Sequence, residues 1–279
     1  MISYKSSFYL SKYIRKQKLL GKTIAFVPTM GALHLGHISL VKAAKEKADI
    51  VVCSIFVNPT QFNKQEDLLK YPRTIDADSK LLKAVSCDVL FIPSIKEMYP
   101  KGTNNGFQAP DLGNILDILE GEFRPGHFEG MMQVVSLLLD KVNCDHLFMG
   151  LKDYQQFAIC SLMIKAQKRK LEIHGMPTIR ESSGLAMSSR NERLSAEGRK
   201  KAASIYASLN WVKENKDQLQ IENLKQGAIE RIESQDGMQV EYLEIVDKDL
   251  LRPSQDKKNW IVLCAVWLEN IRLIDNLIL

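Results

Sequence analysis

The chain has 279 residues, 45% hydrophobic and 25% charged, and its 38 basic against 33 acidic residues give a formal net charge of +5. A chain of this length can bury a substantial core, and it is near the size at which one core gives way to two domains. These values exclude a collagen-like or disordered chain, and no repeat of solenoid length is visible. The longest apolar stretches, 50–57 and 260–268, are far too short to span a bilayer.

The five cysteines are scattered and lack the spacing of a metal site or a disulfide framework. The N-terminal residues have no apolar signal region, because Lys5, Lys12, Arg15 and Lys16 interrupt them. We therefore expect a cytoplasmic protein with reduced cysteines. The positive charge is spread along the chain apart from the run 165–170, so we expect no nucleic-acid partner and no membrane partner.

Strand and helix patterns alternate over the first 176 residues. Residues 3–20 show helical spacing, and five apolar runs then predict short buried strands joined by helical stretches. The first strand is expected to stop at Pro28, because proline has no N–H for a sheet ladder. The alternation predicts an α/β fold, a Rossmann-like doubly wound parallel sheet. The five runs are Thr23–Val27, Asp49–Val57, Asp88–Pro93, Asp145–Met149 and Leu171–His174.

The pattern changes after residue 176. Two amphipathic helices are predicted at about 195–215 and 221–234, with Ser195 as the N-cap of the first. We therefore predict two domains: residues 1–176 with the parallel sheet, and residues 177–279 as a smaller C-terminal α+β domain. The three β-rich runs that close the chain are Met238–Val246, Trp260–Leu268 and Ile271–Leu279.

The first predicted strand leads into a turn with two glycines and two histidines, Gly31, His34, Gly36 and His37. Helical spacing begins at Ile38. A strand-to-helix turn of this kind points unpaired backbone N–H groups and the positive end of a helix dipole at a ligand. These groups favour a nucleotide phosphate. On these residues alone, a structural or solvated role of the histidines stays open.

A second polar stretch, Met187–Asn191, brings two hydroxyls and a guanidinium together, a set that can hold phosphate oxygens. Alone, this stretch is better explained as a loop that carries capping serines. A His-x-Gly-His turn followed by a distal Met-Ser-x-Arg loop resembles the HIGH and KMSKS signatures of the nucleotidylyltransferase superfamily. The pair of motifs therefore favours ATP as the ligand.

Seven motifs narrow the resemblance to the pantoate–β-alanine ligase (pantothenate synthetase) family of that superfamily. They occur in the family's order and extend over nearly the whole chain. The resemblance implies an ATP-dependent ligase that joins (R)-pantoate to β-alanine through a pantoyl adenylate and releases AMP and pyrophosphate. It also implies Mg²⁺ with the ATP substrate and a homodimer. The motifs are residues 28–37, 54–62, 71–74, 124–128, 152–156, 184–191 and 272–276.

The resemblance also implies roles for individual residues. The catalytic residues are His34, His37 and Lys152, with His37 as the proton donor when pyrophosphate leaves. Gln61 and Gln156 bind pantoate, and Gln61 also lies near β-alanine. No protein ligand to a metal is assigned. The ATP-binding residues are Met30, Gly31, Ala32, Leu33, His34, Leu35, Gly36, His37, Gly150, Leu151, Lys152, Asp153, Ile179, Met187, Ser188, Ser189 and Arg190.

Other polar residues of these motifs keep two interpretations. Arg124 and His127 either contact substrate or clamp a turn. Asp78 is a candidate contact for magnesium, with a solvated helix face as the alternative. Asn58 and Phe62 are expected to complete the pantoate pocket.

Leucine occupies position 151, where the family usually has glutamate or glutamine, so a side-chain contact would be lost there while backbone contacts stay possible. Two rival functions also remain. An adenylyltransferase for a phosphorylated acceptor needs a basic pocket, whereas the turns 58–62 and 152–156 offer mostly amides. A nucleic-acid-binding protein is suggested only by the net charge, and it predicts salt-sensitive binding.

Overall fold

The computed structural model describes residues 1–62, 65–103 and 106–279 of the chain. These residues form two compact units. Unit 1 comprises Met1–Leu151 and Ile159–Met176, and unit 2 comprises Lys152–Ala158 and Pro177–Leu279. The sequence predicts a single boundary near residue 176, which places residues 152–158 in the first domain, whereas the structure groups them with unit 2.

Among the described residues, a six-stranded parallel sheet forms the centre of unit 1. Its strands are β1 (Ile2–Tyr4), β2 (Ile24–Thr29), β3 (Ile50–Ile55), β4 (Val89–Phe91), β5 (His146–Gly150) and β6 (Glu172–Met176). The helices between the first and last of these strands are α1 (Ser7–Leu19), α2 (Leu35–Lys47), α3 (Gln65–Lys70), α4 (Ile75–Ala84), α5 (Ile95–Met98), α6 (Glu120–Phe123), α7 (His127–Val142) and α8 (Tyr154–Ala166).

The predicted α/β fold with a parallel sheet is confirmed, and the strand order is β1-β4-β3-β2-β5-β6. Strand β2 lies in the interior of the sheet, and Phe26 and Val27 on its two faces are fully buried. Burial on both faces explains why these strands are continuous apolar runs. From β2 the chain adds β3 and β4 on one side of the sheet, and β5 and β6 are then added on the other side. Ligands of doubly wound sheets bind beyond the carboxyl ends of the strands at the point where the direction changes, here between β2 and β5. The turn after β2 lies at this position.

Two details of unit 1 differ from the prediction. The helical pattern expected from residue 3 begins only at Ser7, and Ile2–Tyr4 forms the edge strand β1 beside β4. Three residues are too few to show an alternating pattern. Strand β2 also continues through Pro28 to Thr29, which pairs with Ile55 of β3. The pairing of β2 with β5 ends at Phe26, so the missing N–H of Pro28 costs no bond on that side.

Unit 2 contains an antiparallel sheet of three strands, in the order β7-β8-β9, among the residues that the structure describes. Trp260 and other apolar side chains of this sheet pack with those of two helices in one core. The predicted N-cap is confirmed, because the Ser195 hydroxyl accepts a hydrogen bond from the Gly198 N–H. The elements are α9 (Ala196–Asn215), α10 (Ile221–Glu233), β7 (Gln239–Asp247), β8 (Trp260–Leu268) and β9 (Ile271–Ile278).

Within the described parts of the chain, none of the helices combines the length and apolar character needed to cross a bilayer.

Candidate active site

The turn after β2 is tight and partly left-handed. Gly31 has φ of +86° and Ala32 has φ of +50°. A left-handed alanine costs on the order of 1 kcal/mol, so surrounding contacts must hold it in place. A side chain at Gly31 would come within 3.0 Å of Ile55 and 3.2 Å of Asp78. Position 31 therefore favours glycine for both its conformation and its close neighbours.

The carboxylate of Asp78 supplies the contacts that hold this turn. Its Oδ2 accepts the Ala32 N–H at 3.0 Å, and its Oδ1 accepts the Leu33 N–H at 2.8 Å. Thr74 donates its hydroxyl to the same Oδ1 at 3.1 Å. Asp78 is only 1% exposed, so the alternative of a solvated helix face is wrong. The burial of Asp78 and its three hydrogen bonds within unit 1 also argue against this residue as a magnesium ligand.

His34 and His37 cap the start of α2 reciprocally. Nδ1 of His34 accepts the Gly36 N–H at 3.2 Å, and Nδ1 of His37 accepts the His34 N–H at 3.3 Å. The ring centroids are 4.1 Å apart. Since each Nδ1 acts as an acceptor, each neutral ring carries its proton on Nε2. The groups that this pair can donate are therefore two Nε2–H groups at a helix N-terminus.

The turn does not present unpaired amides in the way that we expected from the sequence. The N–H groups of Ala32 and Leu33 go to Asp78, that of Gly31 goes to the Thr29 hydroxyl, and that of Gly36 goes to His34. The prediction is wrong for these amides because buried N–H groups find acceptors within the protein. The histidine side chains and the helix dipole are left as the features that suit an anion.

A second set of polar groups surrounds the turn after β3. Gln61 is 9% exposed, and its Nε2 contacts Sδ of Met30 at 3.1 Å. Its Oε1 accepts a bond from the buried Asn58 amide, whose Oδ1 in turn accepts the Tyr99 hydroxyl at 2.7 Å. Burial raises the pKa of Tyr99, so this phenol remains a donor at neutral pH. Unit 1 therefore brings a predicted pantoate residue next to the predicted ATP-binding turn.

The motif at 124–128 contacts the turn after β3 through His127. Nδ1 of His127 lies 2.8 Å from the backbone oxygen of Gln61, and His127 is 6% exposed. Arg124 pairs with Glu120 at 3.6 Å. A side chain at Gly130 would come within 2.3 Å of the Thr60 oxygen, so α7 approaches this turn very closely. Of the two interpretations, the geometry favours a turn clamp for His127.

In unit 2, residues 179–187 form a small hairpin. Ile179 and Met187 are joined by a backbone hydrogen bond of 2.9 Å, and Arg180 forms a bridge with Ala186. Ser188 then accepts the Arg190 N–H with its hydroxyl at the start of a short 3₁₀ segment. The predicted ATP-binding residues at 179 and 187–190 therefore belong to one local structure.

The end of β9 holds this hairpin. Arg180 forms a two-bond ion pair with Asp275, at 2.6 and 2.9 Å, and lies over the ring of Tyr206 at 3.6 Å. The side chains of Arg180 and Asp275 are only 15% and 3% exposed. Asn276 donates its side-chain amide to the backbone oxygen of Lys152 at 2.8 Å. Adjacent residues of one strand thus hold both predicted ATP-binding segments of unit 2.

The roles of Asp78, Asp275 and Asn276 were missed from the sequence. The motif 272–276 was part of the resemblance, but no role followed from it. For Asp275 and Asn276, the available signal was a carboxylate and an amide inside the largely apolar final run 271–279, since buried polar groups need partners.

The remaining predicted residues divide between the units. Gly150 and Leu151 end β5 and follow it in unit 1. Lys152 belongs to unit 2, with its side chain 18% exposed and its Nζ 3.7 Å from Asp153. Gln156 is half-buried in the first turn of α8, also in unit 2.

The parallel sheet and the His-x-Gly-His turn at a helix start define an α/β enzyme of the nucleotidylyltransferase type. The family model of pantoate-beta-alanine ligase matches residues 4–278. The chain belongs to the pantoate–β-alanine ligase family.

Individual relatives agree with this assignment. The chain is 44% identical to the pantothenate synthetase of Bacteroides thetaiotaomicron over 260 residues, which cover 92% of this chain and 91% of that protein. The crystal structure of pantothenate synthetase from Thermus thermophilus matches with a TM-score of 0.92 at 36% identity, with 99% of each chain covered. The pantoate-beta-alanine ligase of Francisella tularensis, complexed with beta-gamma ATP and beta-alanine, matches with a TM-score of 0.82 at 36% identity, covering 99% and 97%.

Proposed function

We propose that this protein catalyses the ATP-dependent condensation of (R)-pantoate with β-alanine to pantothenate. The observation that carries the proposal is the juxtaposition in unit 1 of the His34–His37 cap and Gln61, which meets the same turn at Met30. The Francisella tularensis relative, crystallised with beta-gamma ATP and beta-alanine, supports the choice of substrates.

The reaction has two steps. A pantoate carboxylate oxygen attacks the α-phosphorus of ATP, the bond to pyrophosphate breaks, and pantoyl adenylate forms. The amine of β-alanine then attacks the acyl carbon and AMP leaves with the bonding electron pair, while the amine loses a proton. The first step brings negative charge towards negative charge, so positioning and electrostatic stabilisation must supply most of the catalysis.

In unit 1, His34 and His37 donate from Nε2 to phosphate oxygens at the start of α2. Protonation of Nδ1 in His37 would place a second donor against the His34 N–H, which that atom now accepts. We therefore refine the role of His37 from proton donor to hydrogen-bond donor to the leaving pyrophosphate. A neutral donor in a preorganised position stabilises developing charge without a proton transfer.

In unit 2, we propose that Lys152 contacts the outer phosphates and that residues 187–190 contact the nucleotide. The Asn276 bond to the Lys152 backbone oxygen and the Arg180–Asp275 pair support this assignment, because they give these segments a defined geometry. Preorganisation of this kind lowers the entropic cost of binding ATP.

The pantoate-binding groups are the amides of Gln61 in unit 1 and Gln156 in unit 2. A neutral amide suits a hydroxy acid whose carboxylate must stay nucleophilic, since a tight ion pair would hold the attacking oxygen. The hydrogen bond from Asn58 to Gln61 Oε1 directs the Gln61 amide nitrogen towards Met30 and the ATP-binding turn.

Pantoate-dependent exchange of pyrophosphate into ATP tests the first step. The proposal predicts exchange without β-alanine and AMP release only when β-alanine is added. Release of pyrophosphate without AMP, on a phosphorylated acceptor, would instead support the rival adenylyltransferase.

Gln61→Ala tests the pantoate site. We expect the KM for pantoate to rise by about 10- to 150-fold while the KM for ATP changes little, since a lost hydrogen bond to a charged group costs roughly 1.5–3 kcal/mol. Gln133→Ala is the matched control, because this buried glutamine donates to the Thr103 oxygen instead. An unchanged pantoate KM would remove Gln61 from the site.

The proposal also covers the metal, the location and the oligomeric state. We propose that Mg²⁺ arrives with ATP on the phosphate oxygens, where it neutralises charge. The five cysteines are buried and free, which supports a cytoplasmic location. A homodimer through unit 1 is supported by exposed Phe8 and Tyr9 on α1, and light scattering of the purified protein tests it.

A further inference from the structure

Three metal-binding side chains meet at the amino edge of the parallel sheet, away from the turn after β2. His146 begins β5 and Glu172 begins β6, and the strand register sets these two residues side by side. His174 follows two residues later, on the same face of β6 as Glu172. None of them belongs to the residues proposed above for ATP or pantoate.

The ligand atoms of this cluster already form a small triangle. Nδ1 of His146 lies 3.2 Å from Nε2 of His174 and 3.3 Å from Oε2 of Glu172, and Nε2 of His174 lies 3.5 Å from the same oxygen. Zinc bonds of about 2.0–2.2 Å at the tetrahedral angle require ligand atoms roughly 3.3–3.5 Å apart. The three edges are therefore close to the ligand spacing of a tetrahedral zinc site.

The surroundings keep the cluster in this geometry and leave it accessible. The ring of Phe148 stacks on His174, with centroids 4.5 Å apart and planes 21° apart, which orients the imidazole. The side chains of His146 and His174 are 16% and 18% exposed, and that of Glu172 is 57% exposed. An ion can thus reach the site from solvent.

We infer that His146, Glu172 and His174 form a binding site for a divalent cation of the zinc type, with water as its fourth ligand. Two imidazoles and one carboxylate are a donor set that zinc prefers, whereas Mg²⁺ and Ca²⁺ prefer oxygen ligands. Each imidazole directs a lone pair at the ion as a neutral tautomer, so its proton resides on the other ring nitrogen. The ion joins the starts of β5 and β6 and acts as a structural brace in unit 1.

One neighbouring charge opposes the ion. Nζ of Lys47, at the end of α2, lies 3.6 Å from Oε2 of Glu172. Lys47→Met removes this competing cation and leaves the three ligands in place. Since the ammonium and the ion repel each other and solvent screens this repulsion only in part, we expect Lys47→Met to bind zinc roughly three- to tenfold more tightly.

Equilibrium dialysis of chelator-treated protein against Zn²⁺, with metal analysis of both compartments, tests the site. We expect one zinc per chain at this site, and His146→Gln and His174→Gln each to weaken binding by more than tenfold, since even outer-sphere changes cost 10–100-fold. His34→Gln is the control, because it breaks the other close histidine pair; we expect it to retain the ion.

Thermal unfolding supplies a second readout that does not depend on enzyme activity. Zn²⁺ should raise the Tm of the wild-type protein and of His34→Gln, but not that of His174→Gln, because only a ligand of the folded state stabilises it. Circular dichroism without metal checks that each variant is folded, and the two single histidine variants test the site independently. Zinc that is lost in His34→Gln and kept in His174→Gln would overturn the inference. So would the absence of bound zinc, or a Lys47→Met variant that binds no more tightly than wild type.

Discussion

The two proposed nucleotide-binding segments, the turn 30–37 in unit 1 and the hairpin 179–190 in unit 2, are held by different means. In the turn, His34 and His37 cap the helix that follows, and Asp78 of α4 accepts the N–H groups of Ala32 and Leu33. The hairpin is fixed by Asp275, from the last strand of the chain. Local capping can form as soon as the helix forms, whereas the hairpin needs the completed β7-β8-β9 sheet.

The buried carboxylates of the two segments also differ in what they bind. Asp78 accepts two neutral backbone amides, while Asp275 pairs with the guanidinium of Arg180. Loss of a carboxylate from neutral donors leaves unsatisfied dipoles, but loss from a buried ion pair leaves an uncompensated charge, which is the costlier defect. The comparison therefore predicts a graded series of effects.

The largest effect is expected for Asp275→Ala. It leaves Arg180 charged and 15% exposed without its carboxylate, so unit 2 should lose about 3–5 kcal/mol of stability. All three tryptophans, Trp211, Trp260 and Trp267, belong to unit 2, so the urea dependence of tryptophan fluorescence reports on this unit.

The control for this variant is Asp236→Ala, whose side chain is 99% exposed and pairs with Lys201 at the surface. We expect a change within about 0.5 kcal/mol for it. Equal midpoints for Asp275→Ala and Asp236→Ala would show that the Arg180 pair does not hold the hairpin.

The next prediction distinguishes the roles of the two ring nitrogens of His37. The amide of His37→Asn can still accept the His34 N–H in place of Nδ1, but it lacks the Nε2–H. We expect the rate of pyrophosphate exchange of His37→Asn to fall by about 10²–10³-fold, as when a hydrogen-bond donor to the transition state is removed, with little change in stability. His37→Gln can place an N–H near the Nε2 position and should retain more exchange, while it loses about 0.5–2 kcal/mol of helix capping.

The variants His37→Asn and His37→Gln are compared by two measurements, pyrophosphate exchange and thermal unfolding. Equal losses of exchange in His37→Asn and His37→Gln would contradict the role as a neutral hydrogen-bond donor and would restore the proton donor as the better explanation.

The sequence led to predictions for the groups that would face a ligand, but not for the side chains that hold the turn and the hairpin in place. His34, His37 and Lys152 were predicted because each stands in a short motif. The roles of Asp78 and Asp275 were not predicted, because these residues lie 45 and 95 positions from the donors that they hold. Pairing at that distance depends on tertiary structure, which no local pattern encodes.

Local sequence patterns were also insufficient for parts of the parallel sheet. Long apolar runs predicted five of its strands, but β1 has three residues and is identified only by its pairing with β4. Strand order was likewise out of reach, since adjacency in a parallel sheet is set by packing rather than by local composition.

Asp78→Asn gives an intermediate effect. The new amide group would turn one acceptor into a donor that faces the N–H of Ala32 or Leu33, at a cost of about 1–3 kcal/mol. If the distorted turn weakens ATP binding by this amount, the KM for ATP rises by roughly 5- to 150-fold. Asp76→Asn is the control, because Asp76 lies in the same first turn of α4 but is exposed. Similar ATP kinetics for both variants would show that Asp78 does not position the turn.

The smallest effect is expected for Asn276→Ala, which removes one neutral hydrogen bond to the Lys152 backbone oxygen. Such a bond contributes about 0.5–1.5 kcal/mol, so the KM for ATP should rise by roughly two- to tenfold while kcat changes little. Asn215→Ala breaks a bond of the same kind and length, to the Trp211 oxygen within α9, and separates lost stability from lost positioning. If both variants change the KM for ATP equally, Asn276 contributes only to stability; a change confined to Asn276→Ala shows that the last strand positions Lys152 as well as the hairpin.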